Sequence, residues 1–164
     1  GVFGFAVALA AASQIAIPIP GTPVPMTLQP LIVVLAGLML GPKLGAASMV
    51  LFLAVGAAGA PVFAPGGAPG VLRLIGPTGG YLIAFPFAAF AAGLVAARKP
   101  TLVGRWIGAM LGMVLIFVGG VSQLAILTGS VGQGIALGVT PFAVLDVVKA
   151  FLAALIARPR IRST

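Results

Sequence analysis

Two side chains in the segment PFAVLDVVKAFLAALIA (residues 141–157) carry the chain's most distinctive chemistry. Asp146 is the only acidic residue among 164, and Lys149 follows it by three positions inside an otherwise apolar run. The sequence contains no histidine and no cysteine. A single carboxylate without a second acid, a histidine or a metal cluster is a poor basis for acid–base hydrolysis. Without cysteine there is no disulfide, thiolate nucleophile or sulfur-ligated metal. The pattern GxxxxGK[ST] is also missing, so the chain brings no ATP-binding loop of its own. What remains is recognition. A carboxylate accepts hydrogen bonds and an ammonium donates them. Side by side they suit a neutral ligand with N–H donors and a carbonyl, as in a urea or amide ring. The chemistry points to binding, with no catalytic residue, no metal and no cofactor.

The surroundings of this pair are greasy. Hydrophobic residues make up 61% of the chain, charged residues only 6%, and the mean hydropathy is +1.28. So few polar groups cannot cover a soluble domain of this size, which makes lipid the solvent. A net charge of +8 would suggest nucleic acid in a soluble protein. Here the basic residues punctuate long apolar runs, as they do on the cytoplasmic flanks of membrane spans, and no nucleic-acid partner is expected. Turn signals divide the chain into six apolar segments, 2–17, 26–40, 44–58, 79–97, 105–127 and 139–157. They predict an all-α integral membrane protein, a six-transmembrane-helix bundle forming a single membrane domain over 1–164. Several segments fall short of the roughly 20 residues that cross hydrocarbon upright. No cleavable signal is legible at the start, and the opening GVFGFAVALA suggests that natural first residues are missing.

The connections differ in kind. PIPGTPVP (18–25) is proline-rich and uncharged, GPK (41–43) is a tight turn, and 59–78 is a long Gly/Pro/Ala stretch. Residues 98–101 are short and basic, and 128–137 read as a Gly-rich loop. Lys43, Arg98, Lys99, Arg105, Arg158, Arg160 and Arg162 fall on one side and only Arg73 on the other. The positive-inside rule then puts both termini in the cytoplasm and the two long Pro/Gly loops outside.

Thr140-Pro141 reads as an N-cap with proline at the first helical position. That start would place Asp146 about 8 Å and Lys149 about 12 Å along the last helix. On a wheel of about 100° per residue, Lys149, Ala150, Ala153 and Ala157 cluster around Asp146, while Val144, Leu145, Val148, Phe151, Leu152 and Leu155 take the opposite half. The charged pair therefore faces the bundle and the bulky side chains face lipid. Glycines at 37, 41 and 45 and at 104, 108 and 112 follow the four-residue spacing that lets helices pack closely.

Three stretches carry a family resemblance: IAIPIPGTPVPMTLQPLIVVLAGLMLGPKLGA (15–46), GAPVFAPGGAPGVLRLIGPTGGYL (59–82) and PFAVLDVVKAFLAA (141–154). With TPVPxTLQ, GPTGGY and DxxK in order over nearly the whole chain, the sequence resembles the biotin transporter BioY family. These are the substrate-binding S components of energy-coupling factor (ECF) transporters. The resemblance implies an S-component bundle in a bacterial or archaeal cytoplasmic membrane, with biotin bound near the outer face. It implies, too, a transmembrane coupling subunit and ATPase subunits as partners. The DxxK motif falls on Asp146 and Lys149, which would hold the biotin bicycle. Thr27 and Gln29 match TLQ; Thr78, Gly79 and Tyr81 match GPTGGY; all would shape the pocket, Tyr81 packing on the ligand. Arg73, or the backbone N–H groups of Thr78 and Gly79, would anchor the biotin carboxylate. The Ala-rich first segment is similar to the AxxxA surface that meets the coupling subunit, here at Ala8 and Ala12. Val144-Leu145 stands where relatives often have Pro-Gly, and Pro30 where Thr is common.

Two other readings compete with biotin uptake. In one, the protein is a small self-sufficient secondary carrier for a vitamin-like solute, with Asp146 shuttling protons. Such carriers use broken helices, typically in repeated halves, and the sequence shows no internal repeat. In the other, the protein is a structural membrane subunit whose charged pair locks the last helix in register.

Overall fold

A computed structural model of the chain describes residues 1–157; Arg158, Arg160 and Arg162 lie outside the described residues. Proline and glycine set the helix limits. α1 (Val2–Gln14) stops before Pro18 and Pro20, since a residue preceding proline is pushed out of the helical region. α2 (Gln29–Leu40) opens with Pro30 in its first turn, where the missing N–H costs nothing. α3 (Pro42–Ala57) follows after one residue, Gly41. Gly41 has φ +87° and ψ 175°, a conformation that side chains rarely adopt, and α3 folds back on α2 so sharply that Gly45 lies against Gly37. The second and third apolar segments are thus a hairpin. Gly37, Gly41 and Gly45 are not one helical row: two are packing points and the middle one is the turn.

A short 3-10 helix (Gly70–Ile75) sits inside the long second loop and leads into α4 (Gly79–Arg98). α5 (Leu102–Thr128) starts under a Thr101 cap that accepts from Gly104 N at 3.0 Å and ends at Gly129 in the left-handed region. The stretch 128–137, expected as a loop, instead contains α6 (Val131–Gly138), capped by Ser130. Its glycines lower helix propensity, yet they are what lets α6 approach its neighbours. A Cβ at Gly134 would stand 3.0 Å from Val121 O, and one at Gly138 2.4 Å from the Tyr81 hydroxyl. α7 (Ala143–Ile156) follows, bent 57° from α6. The Thr140-Pro141 start is corrected here. Phe142 occupies the cap, and the Thr140 N–H and hydroxyl both turn back to Ile135 O, finishing α6.

Among the described residues the fold is all-helical apart from one antiparallel bridge, Ile17 with Met26, that closes the first loop on itself. α4 and α5 are long and apolar enough to cross a membrane, and the bent α6–α7 pair reaches that length only when its two helices are taken together. α1, α2 and α3 are apolar but shorter, 13, 12 and 16 residues. The six expected segments all appear as helices. Outward from the bundle point Val50, Phe87, Val103, Val114, Val118 and Val144, all exposed, which is the surface that lipid requires.

Small residues hold α4 at the centre. A Cβ added to Gly37 would stand 2.1 Å from Ala89 O, at Gly80 2.0 Å from Gly119 O, and at Gly108 2.7 Å from Ala92 O. Backbones in contact leave dispersion to do the work that the hydrophobic effect cannot do in lipid. One end of the bundle gathers Gly1 beside Leu40, Gly93 beside Gly41 and Pro42, and Gly104 beside Lys99. There Arg105 Nε also donates to Ala154 O at 3.0 Å. At the opposite end the two long loops fold over the helix ends. Ser13 and Gln14 donate to Val62 and Phe63 carbonyls, and Thr22 Oγ1 donates to Leu137 O at 2.7 Å.

Candidate functional site

Under those loops lies a cavity of about 60 Å³ that opens at its mouth. Val24 and Pro25 of the first loop and Ala64 and Arg73 of the second roof it. Tyr81, Leu82 and Phe85 of α4, Ile116 and Phe117 of α5, and Phe142 form its apolar wall. Thr27, Gln29, Thr78, Asp146 and Lys149 supply the polar groups. Below, Val34, Ala92, Ala109, Met113, Ala150 and Ala153 pack without a gap and close the bundle toward the Arg105 end.

The helical wheel of the last segment holds. Asp146, Ala150, Ala153, Ala154 and Ala157 are buried, and Val144, Leu145, Val148, Phe151, Leu152 and Leu155 are exposed. Its depth does not. Because α7 begins at Ala143, Asp146 falls in the first turn, about 4.5 Å along the axis, with Lys149 at about 9 Å. This position matters electrostatically, since the first turn is the positive end of the helix dipole and favours an anion. The α6–α7 break thus provides a helix N-terminus inside the bundle for the chain's one carboxylate.

Lys149 Nζ stands 3.0 Å from Asp146 Oδ1 and donates to the Thr27 carbonyl at 2.8 Å. Apart from that ion contact, no described group donates to the buried Oδ1. Asp146 is 4% exposed. The Thr27 hydroxyl accepts from Gln29 N and donates to Gln29 Oε1, both at 3.2 Å. Gln29 is buried and its Nε2 has no partner among the described residues. Arg73 is also buried. Its Nε donates to Ala68 O at 3.0 Å, one terminal nitrogen donates to Ala64 O at 2.5 Å, and the guanidinium lies 6.0 Å from the Phe63 ring centre. Burial pushes the Arg73 guanidinium down from its ordinary value, but arginine stays protonated in proteins. Thr78 precedes α4 without a side-chain cap bond.

Seven of the eight residues expected to bind ligand line this cavity; Gly79 does not. Gly79 packs against Leu74, where a Cβ would meet the carbonyl oxygen at 1.9 Å, and its N–H is taken by Gly76 O. Tyr81 gives the cavity its ring, while its hydroxyl donates to Gly138 O at 2.7 Å. Sequence reading passed over Phe85, Phe117 and Phe142. Two of them carry a signal, since Phe85 lies four residues after Tyr81 and Phe142 four before Asp146, each on its helix's cavity face. In α1, Ala12 is buried against the bundle and Ala8 is half-buried.

An apolar helical bundle with a roofed cavity that pairs an apolar wall with one carboxylate and one ammonium has the build of a membrane-embedded solute-binding component. The comparisons specify it further. The model of the BioY family matches residues 1–164. A probable biotin transporter BioY of Pyrococcus horikoshii is 46% identical over 135 residues, covering 82% of this chain and 79% of that protein. The biotin transporter BioY of Thermotoga maritima is 39% identical over 143 residues, covering 86% and 83%. A crystal structure of the S-component for biotin from an ECF-type ABC transporter superposes with a TM-score of 0.87 at 28% identity, covering 96% of this chain and 86% of that one. The chain belongs to the BioY family, and its fold is that of an S component.

Proposed function

We propose that this membrane protein binds biotin in the cavity beneath its two long loops and serves biotin uptake as the S component of an ECF-type transporter. The observation that carries the reading is the Asp146–Lys149 pair at the edge of an otherwise apolar cavity. Biotin joins a ureido ring, which offers N–H groups and a carbonyl, to an aliphatic tail ending in a carboxylate. In our assignment Asp146 accepts from the ureido N–H groups and Lys149 donates to the ureido oxygen. Tyr81 and Phe85 pack on the bicycle. Thr27, Gln29 and Thr78 complete the polar side, and Gly79 acts through the loop that it closes. Arg73 meets the carboxylate while its loop carbonyls keep it in place.

Lys43, Arg98, Lys99 and Arg105 gather at the end away from the cavity, which supports cytoplasmic termini and an outward-facing mouth. Energy would come from a transmembrane coupling subunit and ATPase subunits, with α1 as the docking helix. Ala8 and the exposed Gly4 and Ala11 would form its accessible small-residue face, whereas Ala12 supports it from inside. The α6–α7 break is the one observation that favours a proton-coupled carrier instead. The absence of repeated halves, which such carriers typically use, opposes it. Calorimetry of the purified protein with biotin tests the binding step, and no heat of binding refutes it. Uptake into vesicles separates the energy sources. Accumulation only with ATP and the partner subunits is expected, and accumulation driven by a pH gradient without them supports the carrier.

A further inference from the structure

We propose, resting on the biotin reading, that Ser13 and Gln14 are positioning residues. From the end of α1 they hold the second loop over the cavity, and through that loop they fix the angle at which Arg73 meets the ligand's carboxylate. The stretch 61–68 of that loop forms neither helix nor strand. Pro61 and Pro65 have no N–H to donate. The one backbone bond of this stretch among the described residues is a local turn, Val62 N to Ala60 O at 2.8 Å. Every other hydrogen bond described for 61–68 comes from the side chains of Ser13, Gln14 and Arg73.

Ser13 is wholly buried, and its hydroxyl donates to Val62 O. Gln14 Nε2 donates to Phe63 O at 3.1 Å and to Ser13 Oγ at 3.0 Å, which uses both of its hydrogens. From there contacts lead to the cavity. The Phe63 ring stands edge-on to Phe52 at 5.5 Å, and its other neighbour is the Arg73 guanidinium, 6.0 Å from the ring centre. The next carbonyl, Ala64 O, accepts from an Arg73 terminal nitrogen at 2.5 Å, and Ala68 O accepts from Nε at 3.0 Å. Gly67 passes so close that a Cβ there would stand 2.5 Å from Arg73 Cζ. Arg73 takes its place from 61–68, and 61–68 takes its place from α1. A guanidinium has five N–H groups, so two spent on carbonyls leave three for an anion. A two-pronged grip on a carboxylate depends on the direction of that planar fork, and a stretch without regular structure has little else to hold it.

The test uses the full chain in detergent with biotin and with biotinamide, whose tail lacks the charge. Ser13→Ala and Gln14→Met remove donors without adding bulk, and each should weaken biotin about 3- to 10-fold. Biotinamide offers Arg73 no charge to grip and should weaken less, so the preference for biotin over biotinamide falls. Hydrogen exchange in the ligand-free variants should quicken over 62–68 and stay at the wild-type rate in α4 and α5. Gln14 is exposed, so Gln14→Met carries the test even where Ser13→Ala folds poorly. Equal weakening of both ligands makes the pair merely structural and overturns the proposal, as does unchanged exchange over 62–68. A wild type that does not bind biotin overturns the functional reading and this inference with it. A wild type that binds biotin and biotinamide equally removes Arg73 from the carboxylate and overturns the inference while the biotin site stands. Biotin preferred by the wild type, with the same preference in both variants, overturns the inference alone.

Discussion

Replacing Asp146 and Lys149 together separates a binding site from a helix lock. The single variant Asp146→Asn keeps the shape and leaves Lys149 without its counter-ion, holding only the Thr27 carbonyl at 2.8 Å. Breaking a fully buried pair costs about 3–5 kcal/mol. Lys149 keeps 11% of its side chain exposed and one hydrogen bond, so a loss of about 1–3 kcal/mol is expected. Lys149→Met leaves the carboxylate alone, cushioned by the α7 dipole with about 0.3–1 kcal/mol, and should cost a similar amount. The double variant Asp146→Leu/Lys149→Met removes both charges, each of which carries up to about 2.5–3.5 kcal/mol of insertion cost at mid-membrane. Its ligand-free stability should return to the wild-type level or exceed it. Binding should not return. Hydrogen bonds to charged groups contribute about 1.5–3 kcal/mol each, so losing two weakens biotin by about 10²- to 10⁴-fold. Thermal unfolding of the four proteins in detergent gives the stability cycle, and calorimetry gives the affinities. A double variant that binds biotin within threefold of wild type would refute the site. One less stable than either single variant would show that the pair locks the helix.

Three further substitutions probe the cavity wall and the turn. Tyr81→Phe removes the 2.7 Å bond to Gly138 O and should cost about 1–3 kcal/mol in thermal stability. Biotin affinity should change less than tenfold, since only the ring lines the cavity; a larger loss in calorimetry would mean that the hydroxyl contacts ligand. Gly120→Val puts a Cβ 2.2 Å from the Tyr81 ring, which must move into the cavity, so both the unfolding temperature and biotin affinity should fall. Gly41→Ala forces a side chain into the φ +87° turn, costing about 1–3 kcal/mol, seen as a lower unfolding temperature with affinity for biotin retained.

Much of the architecture is written in local pattern. Prolines at 18, 20, 23 and 25 mark the first loop, and the apolar half of the last helix names the face that the bundle buries. The three-residue step from Asp146 to Lys149 places both groups on that face whatever the exact helix start. What the sequence hides is set by distant partners. α6 is invisible to propensity because its glycines answer to the α5 backbone and the Tyr81 hydroxyl. Thr140 looks like a cap for the helix after it and instead finishes the helix before it. Arg73 reads as a lone cation in an outer loop, but carbonyls five and nine residues earlier hold it in. Gln29 is legible through its TLQ motif, but the network that ties it to Thr27, and Thr27 to Lys149, joins helices that only the fold brings together.

The low charge of the mouth has a kinetic consequence. Among the described residues, Lys43, Arg98, Lys99 and Arg105 lie at the far end, while the cavity holds one self-cancelling pair and one guanidinium buried under carbonyls. A single buried guanidinium projects little field into the medium, so the anionic ligand proposed above should reach the opening with little long-range guidance. Capture should proceed at an unsteered rate of about 10⁵–10⁷ M⁻¹s⁻¹, nearly independent of ionic strength. Tight retention then has to come from slow escape.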